Sequence, residues 1–244
     1  MLYLIGTGLR SDDLSLRALE SLKSCSKIFI DSYTSEFSSG SISDVEQSIG
    51  KKITPLERSS LESDYLVNLA SKENIALLVI GDVFSATTHI SLVLSCEEKK
   101  VKYEIIHSAS IFPAVCETGL QIYSFGRLTS IPKFSDNFKP EDFYDVFSEN
   151  FKRNLHTLFL LDLKVPVQEA VKILLEISNN RRDSLFTEKT QCIAVSKFSS
   201  DSQKIIFAPA EEIMRHDFPA PSCLIVPGKL HFIELDALKR FKTN

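Results

Sequence analysis

The fold class follows from residues 1–32, which read MLYLIGTGLRSDDLSLRALESLKSCSKIFIDS. Residues 2–5 are a short apolar run that ends in Gly6-Thr7-Gly8, as a buried strand followed by a tight turn would. Residues 16–25 carry apolar side chains at helical spacing, and residues 27–30 are a second apolar run. A strand, a helix and a strand within about 30 residues form a right-handed crossover, so this segment predicts a parallel sheet.

The same alternation continues along the chain. Residues 75–80 (IALLVI) form a continuous apolar run, which is typical of a strand covered on both faces. The pattern predicts further helices at 59–70, 87–97, 111–120, 141–153 and 166–177, and further strands at 101–106, 156–162, 191–197, 203–207 and 222–226. The polar stretch 178–190 is expected to be a loop. We therefore predict two α/β domains, residues 1–106 and 112–244.

Composition excludes several classes of protein. The 244 residues are 43% hydrophobic and 25% charged with a net charge of −4, as in ordinary globular proteins, so no basic excess points to nucleic acid or to an anionic membrane. No apolar run approaches the roughly 18 residues that a membrane span needs. The five cysteines are scattered, and no metal-ligand spacing is present. We expect a soluble, cytoplasmic protein that binds no metal.

Gly6-Thr7-Gly8 stands where a dinucleotide-binding fingerprint would begin. The third glycine of that fingerprint is replaced by Ser11, so a tight turn before a helix is the favoured interpretation. The turn still lets a ligand approach the backbone around Leu9. Asp31 ends the second predicted strand, where an acidic side chain can hold a ribose.

Two further turns follow predicted parallel strands. Asp82 comes after the most apolar strand, where a carboxylate faces the crevice in which α/β proteins bind ligands. It suits ribose hydroxyls or a sulfonium charge, but Asp82 or Ser85 equally suits a helix cap. The turn at residues 107–111 (HSASI) offers backbone N–H groups and a hydroxyl to a ligand, or an ordinary serine cap.

The polar residues of the C-terminal half suggest no activity by themselves. We expect His156 to be structural and His231 to be a helix cap or a core histidine. Asp162 and Lys164 suit either a surface ion pair or the mouth of a substrate site. No catalytic triad, pair of catalytic carboxylates or phosphate-binding loop stands out.

Taken together, in order and spacing, these segments resemble the diphthine synthase family, which has the tetrapyrrole methylase fold. The resemblance spans the whole chain, and its two longest blocks are the most specific. The matching segments are MLYLIGTGL at 1–9, DSYTS at 31–35, GDVFSATTH at 81–89, HSASI at 107–111, ETGLQIYSFG at 117–126, LHTLFLLDLKV at 155–165 and LIVPGKLH at 224–231.

The resemblance implies a tetrapyrrole methylase-like fold of two α/β domains, with a parallel-stranded N-terminal sheet and a mixed-sheet C-terminal domain. It also implies a homodimer, and S-adenosyl-L-methionine bound in the inter-domain cleft, with S-adenosyl-L-homocysteine as product. Carried over by position, the cofactor contacts are Leu9, Asp82, Ser85, Ser110, Ile111, Leu161, Phe207 and His231. The family usually has proline at the position of Val83, which leaves the neighbouring carboxylate in place.

The reaction implied is methylation of the amino group of a modified histidine on translation elongation factor 2, in diphthamide biosynthesis. Three methyl groups go to the amine, and eukaryotic members add one to the carboxylate. Segments 81–89 and 129–132 favour a eukaryotic type, whereas 226–231 looks archaeal, and we favour the former. Because an α-amino group has a pKa of about 8, a neutral fraction exists at physiological pH, so we expect no essential catalytic acid or base.

Three alternatives stay open. A tetrapyrrole methyltransferase of the same fold would need several arginines for propionate groups, and the arginines show no cluster in the sequence. A non-catalytic binding module that retains the fold is supported only by Val83. A nucleotide-dependent dehydrogenase would rest on Gly6-Thr7-Gly8 alone.

Overall fold

The computed structural model describes residues 1–243. Contacts divide the chain into two compact units. The first is Met1–Ala114 together with Ser199–Asp201, and the second is Val115–Phe198 together with the chain from Ser202 onward. The two α/β domains expected at 1–106 and 112–244 stay a prediction.

The first unit is an α/β layer structure around one sheet. Its strands are β1 (Leu2–Gly6), β2 (Lys27–Asp31), β3 (Ile53–Leu56), β4 (Ile75–Val79) and β5 (Tyr103–Ile106). Its helices are α1 (Leu16–Ser24), α2 (Ile42–Ile49), α3 (Arg58–Leu61), α4 (Tyr65–Ala70), α5 (Ile90–Glu98) and α6 (Ile111–Ala114). The strand order is β3-β2-β4-β1-β5 and every pairing is parallel, which confirms the predicted parallel sheet.

Strand β4 lies at the centre of this sheet, and all five of its residues are buried. Leu77 packs into an apolar cluster on one face, with Leu4 and Phe29. Leu78 packs into a second cluster on the other face, with Ile5 and Ile30. Side chains alternate between faces along a strand, so only a continuous apolar run satisfies both clusters.

Two elements of the first unit lie in residues 36–58, for which the sequence pattern gave no prediction. Helix α2 is short: its apolar residues Ile42, Val45 and Ile49 lie at helical spacing and pack on one cluster, but only Val45 is fully buried. Strand β3 lies at the sheet edge, where Pro55 is tolerated because an edge strand can do without one N–H. The helix predicted at 59–70 is instead two short helices, α3 and α4.

The second unit contains a mixed sheet. Its strands are β6 (Thr129–Ile131), β7 (Thr157–Leu161), β8 (Gln191–Ser196), β9 (Lys204–Pro209) and β10 (Ser222–Val226). Its α-helices are α7 (Asp142–Lys152), α8 (Val167–Arg181), α9 (Ala210–Ile213) and α10 (Phe232–Leu238), and three 3₁₀ turns span Val115–Thr118, Ile122–Ser124 and Lys239–Phe241. The strand order is β6-β7-β10-β8-β9. Strands β6 and β7 are parallel and the other pairs are antiparallel, so the sheet is mixed, as the resemblance implied.

Aromatic side chains from α7 fill the core of this unit against β7, with Phe143, Tyr144 and Phe147 fully buried. Helix α8 runs past the predicted end at 177, so the expected loop at 178–190 begins only after Arg181. The residue that caps the helix end, Arg182, has a left-handed φ of 55°.

None of the helices in residues 1–243 combines the length and the apolar character needed to cross a membrane.

Candidate functional site

The turns after β1 and β4 touch each other at the carboxyl end of the first sheet. Gly8 and Gly81 exchange backbone hydrogen bonds of 3.2 and 2.8 Å. Both have positive φ, +84° and +88°, which favours glycine. A Cβ on Gly6 would lie 2.7 Å from the Gly81 carbonyl oxygen. Glycine is therefore what allows the two turns to approach, as the tight-turn interpretation predicted.

The turn after β5 joins them through Asp82. Oδ1 of Asp82 accepts a hydrogen bond from the Phe84 N–H at 3.1 Å. Oδ2 accepts from the Ser108 N–H at 3.1 Å and from His107 Nδ1 at 2.8 Å. Burial raises the pKa of Asp82, but these three hydrogen bonds outweigh it, and the pKa lies below its ordinary value. Asp82 is thus an ionised carboxylate that ties two turns together.

His107 was not among the residues predicted for the site. Its ring contacts the Phe84 ring edge-on, with centroids 6.1 Å apart, and 68% of its side chain is exposed. The sequence signal was its position directly after β5, because β4 and β5 flank β1 in a parallel sheet. A histidine and an aspartate that follow such strands reach the same edge.

Ser85 and Ser110 meet at this edge, where their hydroxyl oxygens lie 3.1 Å apart. Ser110 is buried and directly precedes α6, whose first residue is Ile111. Helix α5 begins after His89 and has no side-chain cap. Asp82 and Ser85 therefore do not cap that helix, and the structure brings Asp82, Ser85, Ser110 and Ile111 to one end of the sheet.

Leu9 follows the Gly8 turn, and its backbone is held on both sides. Its carbonyl accepts hydrogen bonds from the N–H and the hydroxyl of Ser38, both at 2.9 Å. Its N–H donates to Asp13 Oδ2 at 3.0 Å. The half-buried side chain of Leu9 is the part that is free to contact a ligand.

Asp31 does not have the ligand-holding role that its position suggested. Its carboxylate is fully buried and accepts four hydrogen bonds, from Tyr33 N, Thr34 N, Thr34 Oγ1 and His89 Nε2. A carboxylate has roughly four lone-pair positions, so none is left for a ribose. The buried Asp31–His89 pair instead fixes the end of the turn that carries Asp82.

Val83, where the resemblance implied proline, is fully buried and belongs to the apolar cluster with Leu4 and Leu77. Its carbonyl also accepts a hydrogen bond of 2.6 Å from Thr87 Oγ1. The valine side chain thus anchors the turn by burial.

The remaining predicted contacts lie on three elements of the second unit. Leu161 ends β7 and is half-buried, Phe207 is buried in β9 opposite Ile193, and His231 is the N-cap of α10. Within residues 1–243, no hydrogen bond or ring contact joins any two of the three. His231 Nδ1 accepts the Ile233 N–H at 3.4 Å, which confirms its expected capping role.

A buried acid–histidine pair holds the start of α10. Glu234 Oε1 accepts from His156 Nε2 at 3.1 Å and from the Gln121 N–H at 2.9 Å, and Oε2 accepts from the His231 N–H at 2.8 Å. His156 Nδ1 accepts the Gly228 N–H at 2.9 Å, so Nε2 carries the proton. His156 is therefore structural, as expected, and three of the blocks that carried the resemblance meet at Glu234.

Asp162 Oδ1 accepts the Lys164 backbone N–H at 2.9 Å, a turn contact between the two residues. Across residues 1–243, no three His, Cys, Asp or Glu side chains come together as metal ligands. The expected absence of a metal stays a prediction.

Comparison with known proteins identifies the family. Residues 1–214 match the family model described as Tetrapyrrole (Corrin/Porphyrin) Methylases. The chain is 37% identical to diphthine synthase of Methanocaldococcus jannaschii, over the full length of both. The chain belongs to the diphthine synthase family.

Further relatives of this family agree with the assignment. Diphthine methyl ester synthase of Saccharomyces cerevisiae is 37% identical over 99% of this chain and 89% of that protein. A crystal structure of a diphthine synthase superposes with a TM-score of 0.89 at 31% identity, covering 99% of this chain and 95% of the other. The predicted family, fold class and methyltransferase class are confirmed.

Proposed function

We propose that the chain transfers methyl groups from S-adenosyl-L-methionine to the amino group of the modified histidine of translation elongation factor 2. The methyltransferase class follows from the family. The observation that supports S-adenosyl-L-methionine as the cofactor is that the turns after β1, β4 and β5 meet around Asp82, Ser85 and Ser110. The carboxyl edge of a parallel sheet is where α/β proteins bind such ligands.

The side chains at this edge suit an adenosyl sulfonium. Asp82 uses three of roughly four lone-pair positions and keeps one for a ribose hydroxyl. The Ser85 and Ser110 hydroxyls share one hydrogen bond, so one of their two protons is left for a ligand. The negative charge of Asp82 also favours a sulfonium cation. Leu9 and Ile111 complete the predicted contacts in the first unit, and Leu161, Phe207 and His231 those in the second.

The cofactor, when bound, supplies an activated methyl group and a neutral sulfide leaving group. The protein side chains then bind, align and desolvate the reacting atoms. Glycine at position 6 lets the turns that form the site pack against each other, since a Cβ there would lie 2.7 Å from the Gly81 carbonyl oxygen. Homodimer formation, a cytoplasmic location and a further methyl ester on a eukaryotic-type product are part of the same proposal.

The test of activity uses elongation factor 2 that carries the unmethylated modified histidine. We expect mass spectrometry to show stepwise addition of methyl groups, three on the amine and one on the carboxylate if the enzyme is of the eukaryotic type. An unchanged elongation factor 2, with methylation of uroporphyrinogen instead, would favour the tetrapyrrole alternative.

The test of the site is calorimetry with S-adenosyl-L-homocysteine. We expect Asp82→Ala to weaken binding by about 10- to 100-fold, the loss of a hydrogen bond to a charged group. Asp64→Ala is the matched control, because Asp64 pairs with Lys99 on the surface of the same unit. No heat with the unchanged protein would favour a non-catalytic module, and full affinity in Asp82→Ala would show the site to be misplaced.

A further inference from the structure

His107 combines exposure with a fixed orientation. Its Nδ1 lies 2.8 Å from Asp82 Oδ2, and its ring rests edge-on against Phe84. The Asp82 carboxylate is itself held by the N–H groups of Phe84 and Ser108. The imidazole is thus oriented by a group that cannot easily move, while 68% of the side chain stays exposed.

This geometry decides which ring nitrogen can accept a proton. An ionised carboxylate only accepts hydrogen bonds, so His107 Nδ1 must carry the hydrogen that joins it to Asp82. In the neutral ring, Nε2 then keeps its lone pair. A carboxylate that orients an imidazole in this way also stabilises the imidazolium that forms when Nε2 takes a proton.

We infer that His107 Nε2 accepts the proton that the substrate's ammonium group must lose before each methyl transfer to nitrogen, and that Asp82 is its positioning residue. This inference rests on the proposed function and assigns a side chain to a step for which the sequence suggested no essential base. It concerns the amine of the acceptor, not the binding of the cofactor.

The step balances in protons and electrons. The ammonium N–H bond breaks, its electron pair stays on nitrogen, and the proton moves to His107 Nε2. The nitrogen lone pair then forms the new N–C bond, and the pair of the breaking S–C bond goes to sulfur. Because the His107 ring is largely exposed, the proton can pass to water before the next round. One proton leaves for each methyl group that the nitrogen gains.

Other groups at this edge are less suited to the task. Asp82 is a weak base, since its pKa lies below the ordinary value, and Oδ2 already accepts two hydrogen bonds. His89 is buried and bonded to Asp31. The Ser85 and Ser110 hydroxyls are hydrogen-bonded to each other, and a hydroxyl is a far weaker base than an imidazole. Among the described residues 1–243, Asp82 is the titratable group whose side chain forms a hydrogen bond with His107.

The test compares the unchanged protein with His107→Asn in single-turnover methylation from about pH 6 to about pH 9, where an imidazole and an α-amino group titrate. Asparagine retains an N–H donor for Asp82 but offers no basic nitrogen. At pH 7 we expect the first methyl transfer to slow about 10-fold or more. The difference in rate between the unchanged protein and His107→Asn should become smaller as the pH rises, because the amine then loses its proton unaided. His216→Asn, a histidine of the second unit, is the control and should leave the profile unchanged.

Two measurements separate this inference from the proposed function. Calorimetry should give His107→Asn the same affinity for S-adenosyl-L-homocysteine as the unchanged protein. Nitrogen NMR should show that neutral His107 carries its hydrogen on Nδ1. In Asp82→Ala, this preference for the Nδ1–H tautomer should be lost. Provided that the unchanged protein is active, three results overturn this inference alone. His107→Asn could keep the original pH profile, or it could lose affinity for S-adenosyl-L-homocysteine. Alternatively, the neutral His107 of the unchanged protein could carry its hydrogen on Nε2. An inactive unchanged protein overturns the proposed function.

Discussion

Single residues hold the turns of the site through acid–histidine pairs. The Asp31 carboxylate is completely buried and meets His89 at 3.1 Å. Burial raises the pKa of Asp31, but hydrogen bonds from His89 and Thr34 outweigh that effect, and the pKa lies below its ordinary value of 3.8. Such a carboxylate stabilises the fold in its charged form, so its contribution depends on pH.

We predict that Asp31→Asn makes the free energy of unfolding depend less steeply on pH in the acid range. With a folded-state pKa below 3.8, the contribution of Asp31 is complete above that value and is lost as the pH falls through the folded pKa. Urea unfolding from about pH 6 downward should show the unchanged protein losing stability below about pH 4 more steeply than the variant. Other carboxylates contribute equally to both curves. Parallel curves would contradict the prediction.

The prediction of individual site residues from sequence was uneven for a physical reason. The approach of Asp82, Ser85 and Ser110 could be expected, because each follows a parallel strand and strand polarity brings such residues to one edge. Their role as cofactor contacts was implied by the family resemblance and stays a prediction. The Asp31–His89 and Asp82–His107 pairs were not found, because each joins side chains more than 20 residues apart whose distance depends on strand order.

At the scale of elements, helix α10 is fixed by one buried side chain. Glu234 connects the helix start to His156 of the segment before β7 and to Gln121 of the preceding loop. Burial raises the pKa of Glu234, but hydrogen bonds from Gln121, His231 and His156 outweigh it, and the pKa lies below its ordinary value. The backbone of Gly119 lies against Ala237 of α10 and leaves no room for a side chain, since a Cβ on Gly119 would lie 2.2 Å from Ala237 Cβ.

We predict that Glu234→Ala lowers the free energy of unfolding by about 3–5 kcal/mol, because it leaves His156 and two N–H groups buried without their partner. Glu62→Ala is the matched control, since Glu62 forms an exposed ion pair with Arg58 and its loss should change stability little. Urea denaturation followed by circular dichroism measures both. A loss in Glu234→Ala no larger than in the control would show that the pair is dispensable.

For the whole molecule, burial determines the chemistry of the cysteines. Four of the five are buried, and Cys116 is half-exposed. Burial raises the pKa of Cys223 to about 12 and also raises the pKa of Cys25, Cys96 and Cys192. Thiolate is the reactive form, so the four buried thiols should be inert in the folded protein.

We predict that a chromogenic disulfide reagent at neutral pH modifies about one thiol rapidly in the native protein and all five after denaturation. Cys116→Ser should remove the rapid phase, whereas Cys25→Ser, at a buried position, should leave it intact. Rapid reaction of several native thiols would show that the buried clusters open readily.

The sequence alone determined the parallel sheet, the central apolar strand and the family, because these depend on local spacing and on blocks of contiguous residues. It did not determine α2 and the edge strand β3, which are only eight and four residues long, so that few apolar positions mark each of them. Only the tertiary structure decided that Asp31 is occupied by His89, that Glu234 holds α10, and that His107 is oriented by Asp82. Each of these joins residues distant in the chain, and their approach is set by strand order and by the packing of buried polar groups, which no local pattern encodes.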